Sequence, residues 1–233
     1  MFHVEHPVAG KGARLDRRQS FPPPSARFLS RLLDEAGLSV PPGSTERLSR
    51  HAAEMLRWNR AIRLTAITEP EEVAVKHILD SLLLLHFAPF PGRLLDFGSG
   101  AGYPGIPLAI ALPGTQCLLL ESSAKKCAFL REVVRILSLE NVRVINRRLE
   151  RRRGPGEERY EQIVTRATLP PAEAFALLAP YLAPGGRLLL MGGGGMRGNE
   201  AVSLPAGECS LCGESFELPR GMGSRRVLEI RVP

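Results

Sequence analysis

Leu94-Leu95-Asp96-Phe97-Gly98-Ser99-Gly100-Ala101-Gly102-Tyr103-Pro104-Gly105 is the stretch that decides the fold. Arg93 to Phe97 is a short, mostly apolar run, which reads as a buried strand carrying an acid near its end. Four glycines then follow within eight residues. An apolar helix is predicted over Gly105 to Ala111, with Pro104 in its first turn, where a missing N–H is harmless. A strand, a glycine turn and a helix in succession let backbone amides come close to a ligand, because glycine accepts positive φ and has no side chain in the way. A second apolar run, Gln116 to Leu120, ends at Glu121. A neighbouring parallel strand would offer its carboxylate to a ribose at that point. The pair of features points to a nucleoside-containing cofactor.

Two readings of the glycines compete. From Gly98 the turn is G-x-G-x-G, the form found in S-adenosylmethionine enzymes. From Gly100 it is G-x-G-x-x-G, the dinucleotide fingerprint. The strand ends at Phe97, so the tight turn should begin at Gly98. Pro104 also removes an amide where a pyrophosphate would seek donors. The sulfonium cofactor is favoured. A nicotinamide dehydrogenase, a methyltransferase for protein or a small metabolite, and a non-enzymatic RNA-binding module stay open at this level.

A chain of 233 residues can hold one large α/β domain with an appended helical segment. No run approaches the roughly 18 apolar residues that span a bilayer, and the charged start lacks an apolar signal core. Four cysteines without a dense framework suit a reducing cytosol, so a cytoplasmic protein is expected. The net charge of +7 is carried mostly by arginine and favours a polyanionic partner. Cys209-Ser210-Leu211-Cys212 supplies two thiols where structural zinc wants four ligands, so no metal is expected and the segment reads as a loop.

In chain order, residues 1–24, with the Pro22-Pro23-Pro24 run, read as a flexible arm. Residues 25–90 read as an N-terminal helical cap. It comprises an amphipathic helix from Ser25 to Ala36 stopped by Gly37, a second capped by Ser44 or Thr45 and running to about Trp58, and a third from Glu69-Pro70 to about His86. Trp58 reads as a core anchor. His77 and Asp80, three residues apart, share a helix face and receive no chemistry. Residues 91–233 read as the cofactor-binding core. After the first two strands come a basic amphipathic helix (Ser123 to Leu137), a strand (Val142 to Ile145), and the run Arg147-Arg148-Leu149-Glu150-Arg151-Arg152-Arg153. A strand from Gln162 to Thr165 follows, then a helix from Pro170 to Leu182, a turn at Pro184-Gly185-Gly186, and a strand from Arg187 to Met191. Gly192 to Gly195 reads as a mobile loop, and two last strands fall near Phe216 to Leu218 and Arg226 to Val232. Strands alternating with helices imply a mostly parallel sheet covered on both faces. Ligands bind such sheets beyond the strands' carboxyl ends, and Gly98, Glu121, Leu149-Glu150 and Arg166 all follow strand ends.

Trp58-Asn59 with Leu64-Thr65-Ala66, Lys76-His77-Ile78-Leu79-Asp80-Ser81, the turn from Asp96 to Ile110, Phe129-Leu130-Arg131-Glu132-Val133 and Thr165-Arg166-Ala167 together resemble the bacterial small-subunit ribosomal RNA guanine-N7 methyltransferases, also called the glucose-inhibited division protein B family. The resemblance covers about residues 27–232. It implies a class I methyltransferase fold, α/β with a mostly parallel, seven-stranded, Rossmann-like sheet. It also implies S-adenosyl-L-methionine as methyl donor and N7 of one guanine in 16S ribosomal RNA as acceptor. By motif position, Gly98 and Tyr103 would line the cofactor turn, Leu149 and Glu150 would face the adenine, and Arg166 would reach the cofactor. Glu121 stands where the family usually has aspartate, Arg63 replaces a usual asparagine, and Met191 sits where lysine is common. Guanine N7 has a free lone pair, so no catalytic base is assigned. Lys125, Lys126, Arg147, Arg148 and Arg225 are expected to position RNA phosphates. The expected partner is 16S RNA or the small ribosomal subunit, with no membrane and with the protein a monomer.

Overall fold

The computed structural model describes residues 21–150, 158–166, 169–193 and 210–233. Seven strands form one sheet: β1 (Arg93–Phe97), β2 (Gln116–Glu121), β3 (Val142–Asn146), β4 (Tyr160–Arg166), β5 (Leu182–Gly193), β6 (Ser210–Glu217) and β7 (Ser224–Arg231). Their spatial order is β3-β2-β1-β4-β5-β7-β6. The first five are parallel, and β7 runs antiparallel between β5 and β6. The order reverses between β1 and β4, which opens a crevice at their carboxyl ends.

Side-chain alternation along the strands divides the interior in two. Leu94, Cys117, Leu119, Val164, Leu189 and Val227 face one core. Leu95, Leu118, Leu120, Ile163, Leu188, Leu190 and Leu228 face the other. The first core is the larger. It receives α1 (Ala26–Glu35), α2 (Ser44–Asn59), α5 (Gly105–Ala111), α6 (Ala124–Ile136) and a helical rod spanning 70–87. The second is closed by α7 (Pro171–Leu178) and the short 3-10 turn Ala179–Tyr181. The N-terminal helices therefore share a core with the helices that follow β1 and β2.

The rod is where local structure departs most from expectation. It opens as α3 (Pro70–Val73), widens into a π-helical turn (Ala74–Leu79), returns to α geometry as α4 (Asp80–Leu82) and tightens into a 3-10 turn (Leu83–Phe87). π turns put one extra residue in a helix and gather at functional sites. Here the wide turn carries Lys76 and His77, and Asp80 follows it.

Smaller differences have plain causes. Ser44 is the first residue of α2 and not its cap. Gly43 holds the cap position at φ 76°, and the Ser44 hydroxyl is buried without a partner among the described residues. The helix predicted to reach Leu182 stops at Leu178, because Pro180 lacks the N–H needed to continue it. The turn expected at residues 184–186 is an irregularity inside β5, with Gly185 at φ 71°. Gly192 and Gly193 continue β5, and residues 194–195 lie outside the described residues. Cys212 sits on β6 opposite Glu229, not in a loop, whereas Cys209 lies outside the described residues. Ser25 does cap α1, accepting from the Phe28 N–H at 3.2 Å, and Gly37 ends it at φ 67°. No helix among the described residues is long and apolar enough to cross a membrane.

Candidate cofactor crevice

The glycine turn is built at three levels. Gly98, Gly100 and Gly102 all have positive φ, which folds the chain back between β1 and α5. Gly98 and Ser99 donate to the Leu120 carbonyl at 2.9 and 3.1 Å, which pins the turn to β2. Gly105 is required for a different reason. A Cβ there would lie 2.3 Å from Leu119 and 2.5 Å from the Asp96 carboxylate, so this glycine lets α5 sit against the sheet. A Cβ on Gly100 would meet nothing closer than 3.7 Å, so this part of the turn faces open space.

Two acids flank the turn. Glu121 is buried, and its Oε2 accepts from Gly100 N at 3.0 Å while Oε1 accepts from Ser123 N at 2.8 Å. It thus ties the glycine turn to the start of α6, and the remaining lone pairs suit ribose hydroxyls. Asp96 Oδ2 accepts from Gly105 N at 3.1 Å, and Oδ1 is buried with no partner among the described residues. Burial raises the Asp96 pKa to about 7, against the pull of hydrogen bonds to the carboxylate.

Tyr103, the residue expected to line the turn, is sandwiched. Its ring lies 4.5 Å from that of His51 on α2 and 4.6 Å from that of His77 on the π turn, centroid to centroid. His51 Nε2 is 2.9 Å from the Ala101 carbonyl, which can only accept, so this nitrogen carries the proton. Burial lowers the His51 pKa to about 4. The His77 pKa falls to about 3, first through burial and then through the Arg166 charge. Arg166 Nη1 stands 3.4 Å from His77 Nδ1, so Nδ1 is the acceptor and Nε2 donates to Thr65 Oγ1 at 2.9 Å. Both imidazoles are therefore neutral at physiological pH. Tyr103 Oη and His51 Nδ1 join Asp96 Oδ1 among the buried polar atoms around this turn that lack a partner among the described residues. Such orphans mark a site completed by something other than the chain.

Arg166 ends β4 on the other side of the crevice. Its guanidinium lies 5.6 Å from the Tyr103 ring centroid and pairs with Asp80 at 3.4 Å. Asp80 has no exposed surface, and its second oxygen is taken by Arg225 Nε. Arg225, grouped by sequence with the RNA-contacting cations, thus stands on Asp80 from β7. Lys125 and Lys126 lie in the first turn of α6, and Arg147 and Arg148 follow β3, so these four share one rim at the ends of β2 and β3. Leu149 packs into the second core and Glu150 is exposed, its carbonyl accepting from Tyr181 Oη at 3.1 Å. Arg151 to Arg153 lie outside the described residues.

Sequence reading missed His51, His77 and Asp80 as parts of this site. Asp80 had a usable signal: it is an acid inside the apolar run Ile78-Leu79-Asp80-Ser81-Leu82-Leu83-Leu84, and a buried acid needs a cation brought to it. His51 had none, since its partner is a backbone carbonyl in a turn fifty residues away.

The residues present fit S-adenosylmethionine: a glycine turn with open space at Gly100 and a carboxylate at the neighbouring strand end. A model of the family described as rRNA small subunit methyltransferase G matches residues 44–214. The Ribosomal RNA small subunit methyltransferase G of Anaeromyxobacter sp. (strain Fw109-5) is 40% identical over 209 residues, covering 88% of this chain and 96% of that protein. That of Stenotrophomonas maltophilia (strain K279a) is 45% identical over 186 residues, covering 80% and 86%. Among solved structures, a SAM dependent methyltransferase from Aquifex aeolicus superposes with a TM-score of 0.52 at 18% identity, covering 70% of this chain and 94% of that one. The strand order, the glycine turn and these likenesses agree, and the chain belongs to the rRNA small subunit methyltransferase G family.

Proposed function

We propose that the crevice between β1 and β4 holds S-adenosylmethionine and that the protein transfers its methyl group to N7 of one guanine in 16S ribosomal RNA. One observation carries the reading: a glycine turn with open space at Gly100 lies between the Glu121 carboxylate and the Arg166 guanidinium, beside a basic rim. When bound, the cofactor supplies an electrophilic sulfonium methyl. Glu121 holds the ribose hydroxyls, and Gly98 and Gly100 leave room for the nucleoside. Leu149 and Glu150 border the adenine.

No residue needs to remove a proton. Guanine N7 is already a lone-pair acceptor on the major-groove edge of the base. The neutral, buried His51 and His77 keep protons where they are. What the chain contributes is position: the attacking nitrogen and the methyl must be held about 3–3.5 Å apart and in line.

Lys125, Lys126, Arg147 and Arg148 hold RNA phosphates at the rim. The first turn of α6 has no acid and carries both lysines at the positive end of the helix dipole. That placement costs helix stability and is offset when an anion docks there. The partner is 16S RNA or the small subunit, and the reaction takes place in the cytoplasm.

The test is incubation of the purified protein with tritiated S-adenosylmethionine and small subunits or 16S RNA from cells lacking the modification. Label should appear in RNA at a single 7-methylguanine, detected by borohydride–aniline cleavage. Label in protein, or none, would overturn the reading. Lys125→Ala with Arg147→Ala should lower the slope of log K against log salt by about 2.

A further inference from the structure

Arg166 spends its hydrogen bonds unevenly. Nη1 lies 3.2 Å from the Lys76 carbonyl, 3.4 Å from His77 Nδ1 and 3.4 Å from Asp80 Oδ2. Nε and Nη2 have no hydrogen-bond partner among the described residues. The uncommitted side of a guanidinium is a planar fork that matches a carboxylate.

The charge balance of the cluster points the same way. Asp80 is shared by two arginines, Arg166 and Arg225, and His77 is neutral. One positive charge is left over at a site where Arg166 and Arg225 keep less than a fifth of their side-chain surface exposed. A surplus charge in so enclosed a place is costly unless an anion joins it.

The strand order identifies that anion. Along β3-β2-β1-β4, the assigned contacts run from adenine (Leu149, Glu150) through ribose (Glu121) to the glycine turn, and Arg166 comes next. Neighbouring strands are about 4.8 Å apart, so Arg166 stands roughly 10 Å from the ribose position across the sheet. The amino-acid end of S-adenosylmethionine spans that direction and ends in a carboxylate.

We propose that Asp80 is a positioning residue, which holds Arg166 by Nη1 so that its Nε/Nη2 edge meets the carboxylate of the cofactor's amino-acid end. This rests on the crevice being the S-adenosylmethionine site. The π turn is part of the device, since it places the Lys76 carbonyl and His77 Nδ1 on the same guanidinium nitrogen as Asp80. Three acceptors crowded on one nitrogen fix the plane of the fork.

The experiment uses two probes that differ in the group at issue. S-adenosylhomocysteine carries the carboxylate, and 5′-methylthioadenosine keeps the nucleoside and the sulfur without it. Calorimetry on wild type, Asp80→Asn, Arg166→Gln and the double variant should show S-adenosylhomocysteine bound at least ~10-fold more weakly by Arg166→Gln, the range of a lost charged hydrogen bond, and ~5-fold more weakly by Asp80→Asn, where that bond is loosened and not removed. Binding of 5′-methylthioadenosine should change less than about twofold, and the double variant should be no weaker than Arg166→Gln alone. Equal losses on both probes would make Asp80 a structural tether and overturn the proposal, as would no loss on either. Should Asp80→Asn fail to fold, Arg166→Gln decides, because equal losses on its two probes remove the contact that Asp80 is said to set up. Failure of the crevice reading looks different: wild type would then give no heat with either probe, which ends both.

Discussion

Two arginines on neighbouring strands make opposite use of the same chemistry. Arg187, near the start of the straight part of β5, has a partner for each of its three nitrogens. Nε donates to Gln162 Oε1, Nη1 to Glu229 Oε1 at 2.9 Å, and Nη2 to the Pro89 carbonyl at 2.6 Å. Its guanidinium also lies 4.9 Å from the Phe90 ring centroid. Arg166, four residues further along β4 than Gln162 and roughly 13 Å towards the crevice, puts all its hydrogen bonds among the described residues on Nη1. One cluster is saturated and the other is open on one side. A saturated buried ion pair has nothing left to recognise and serves the fold alone. The open one keeps binding capacity at the end of the sheet where ligands enter.

The largest expected effect breaks the saturated cluster. Arg187→Met leaves Glu229, Gln162 and the Pro89 carbonyl short of a donor and should cost about 3–5 kcal/mol of stability in urea unfolding. Affinity of the folded fraction for S-adenosylhomocysteine should not change. If affinity fell as it does in Arg166→Gln, the division between a structural and a binding arginine would be lost.

The glycine turn sharpens the same contrast with two single-methyl changes. Gly105→Ala pushes a Cβ into Leu119 and Asp96 behind the turn, and should destabilise by about 1–3 kcal/mol through overpacking. Gly100→Ala meets open space, so its folding cost is the roughly 1–2 kcal/mol of a left-handed residue. Its main effect should be on the cofactor, with Kd raised about tenfold or more by a methyl placed where the nucleoside lies. Measuring stability and Kd on both variants separates the back of the turn from its front. Equal loss of affinity in the two would mean that the front is not a ligand face.

The strand ends and the buried clusters differed in how far the sequence showed their placement. The glycine turn, Glu121 and Arg166 were legible because each sits at the end of an apolar run, where periodicity changes and a strand must stop. The Arg187 cluster was not, since Gln162, Arg187 and Glu229 meet only through the register of β4, β5 and β7. Register follows from packing and cannot be read from one strand alone. The π turn was hidden for another reason: its apolar residues still recur at helical spacing, and the extra residue shows only in the backbone bonds. The start of β6 was missed because Ser210 to Ser215 holds one large apolar residue, Leu211, and a glycine, so it shows no alternation, and an edge strand pairing on one side with β7 needs none. His51 and Tyr103 meet across 52 residues of chain with no pattern to announce it.

The smallest test turns on the acids of the two regions. Glu229 is buried, which works against its charge, yet hydrogen bonds from Arg187 and Cys212 and the Arg231 and Arg187 charges hold its pKa below the usual value. Asp96, under the glycine turn, makes no ion pair among the described residues, and burial lifts its pKa to about 7 against the pull of its hydrogen bonds and the Arg166 charge. The two should therefore leave opposite marks on stability against pH. The folded protein holds the Asp96 proton between about pH 4 and 7 while the unfolded chain releases it, so the stability this proton provides is present below pH 4 and lost as pH rises to 7. For Glu229 the unfolded chain takes up the proton first, so its contribution is present above the ordinary carboxylate range and is lost as pH falls through the lowered value. Urea unfolding of Asp96→Asn should accordingly show a cost that shrinks from pH 5 to pH 7.5, by about 1–3 kcal/mol. The cost of Glu229→Gln should shrink towards acid instead. His51 and His77 titrate alike in each variant and its parent, so they cancel in these differences. If both costs moved in the same direction with pH, Asp96 would be paired in solution as Glu229 is, and the contrast between the two acids would be lost.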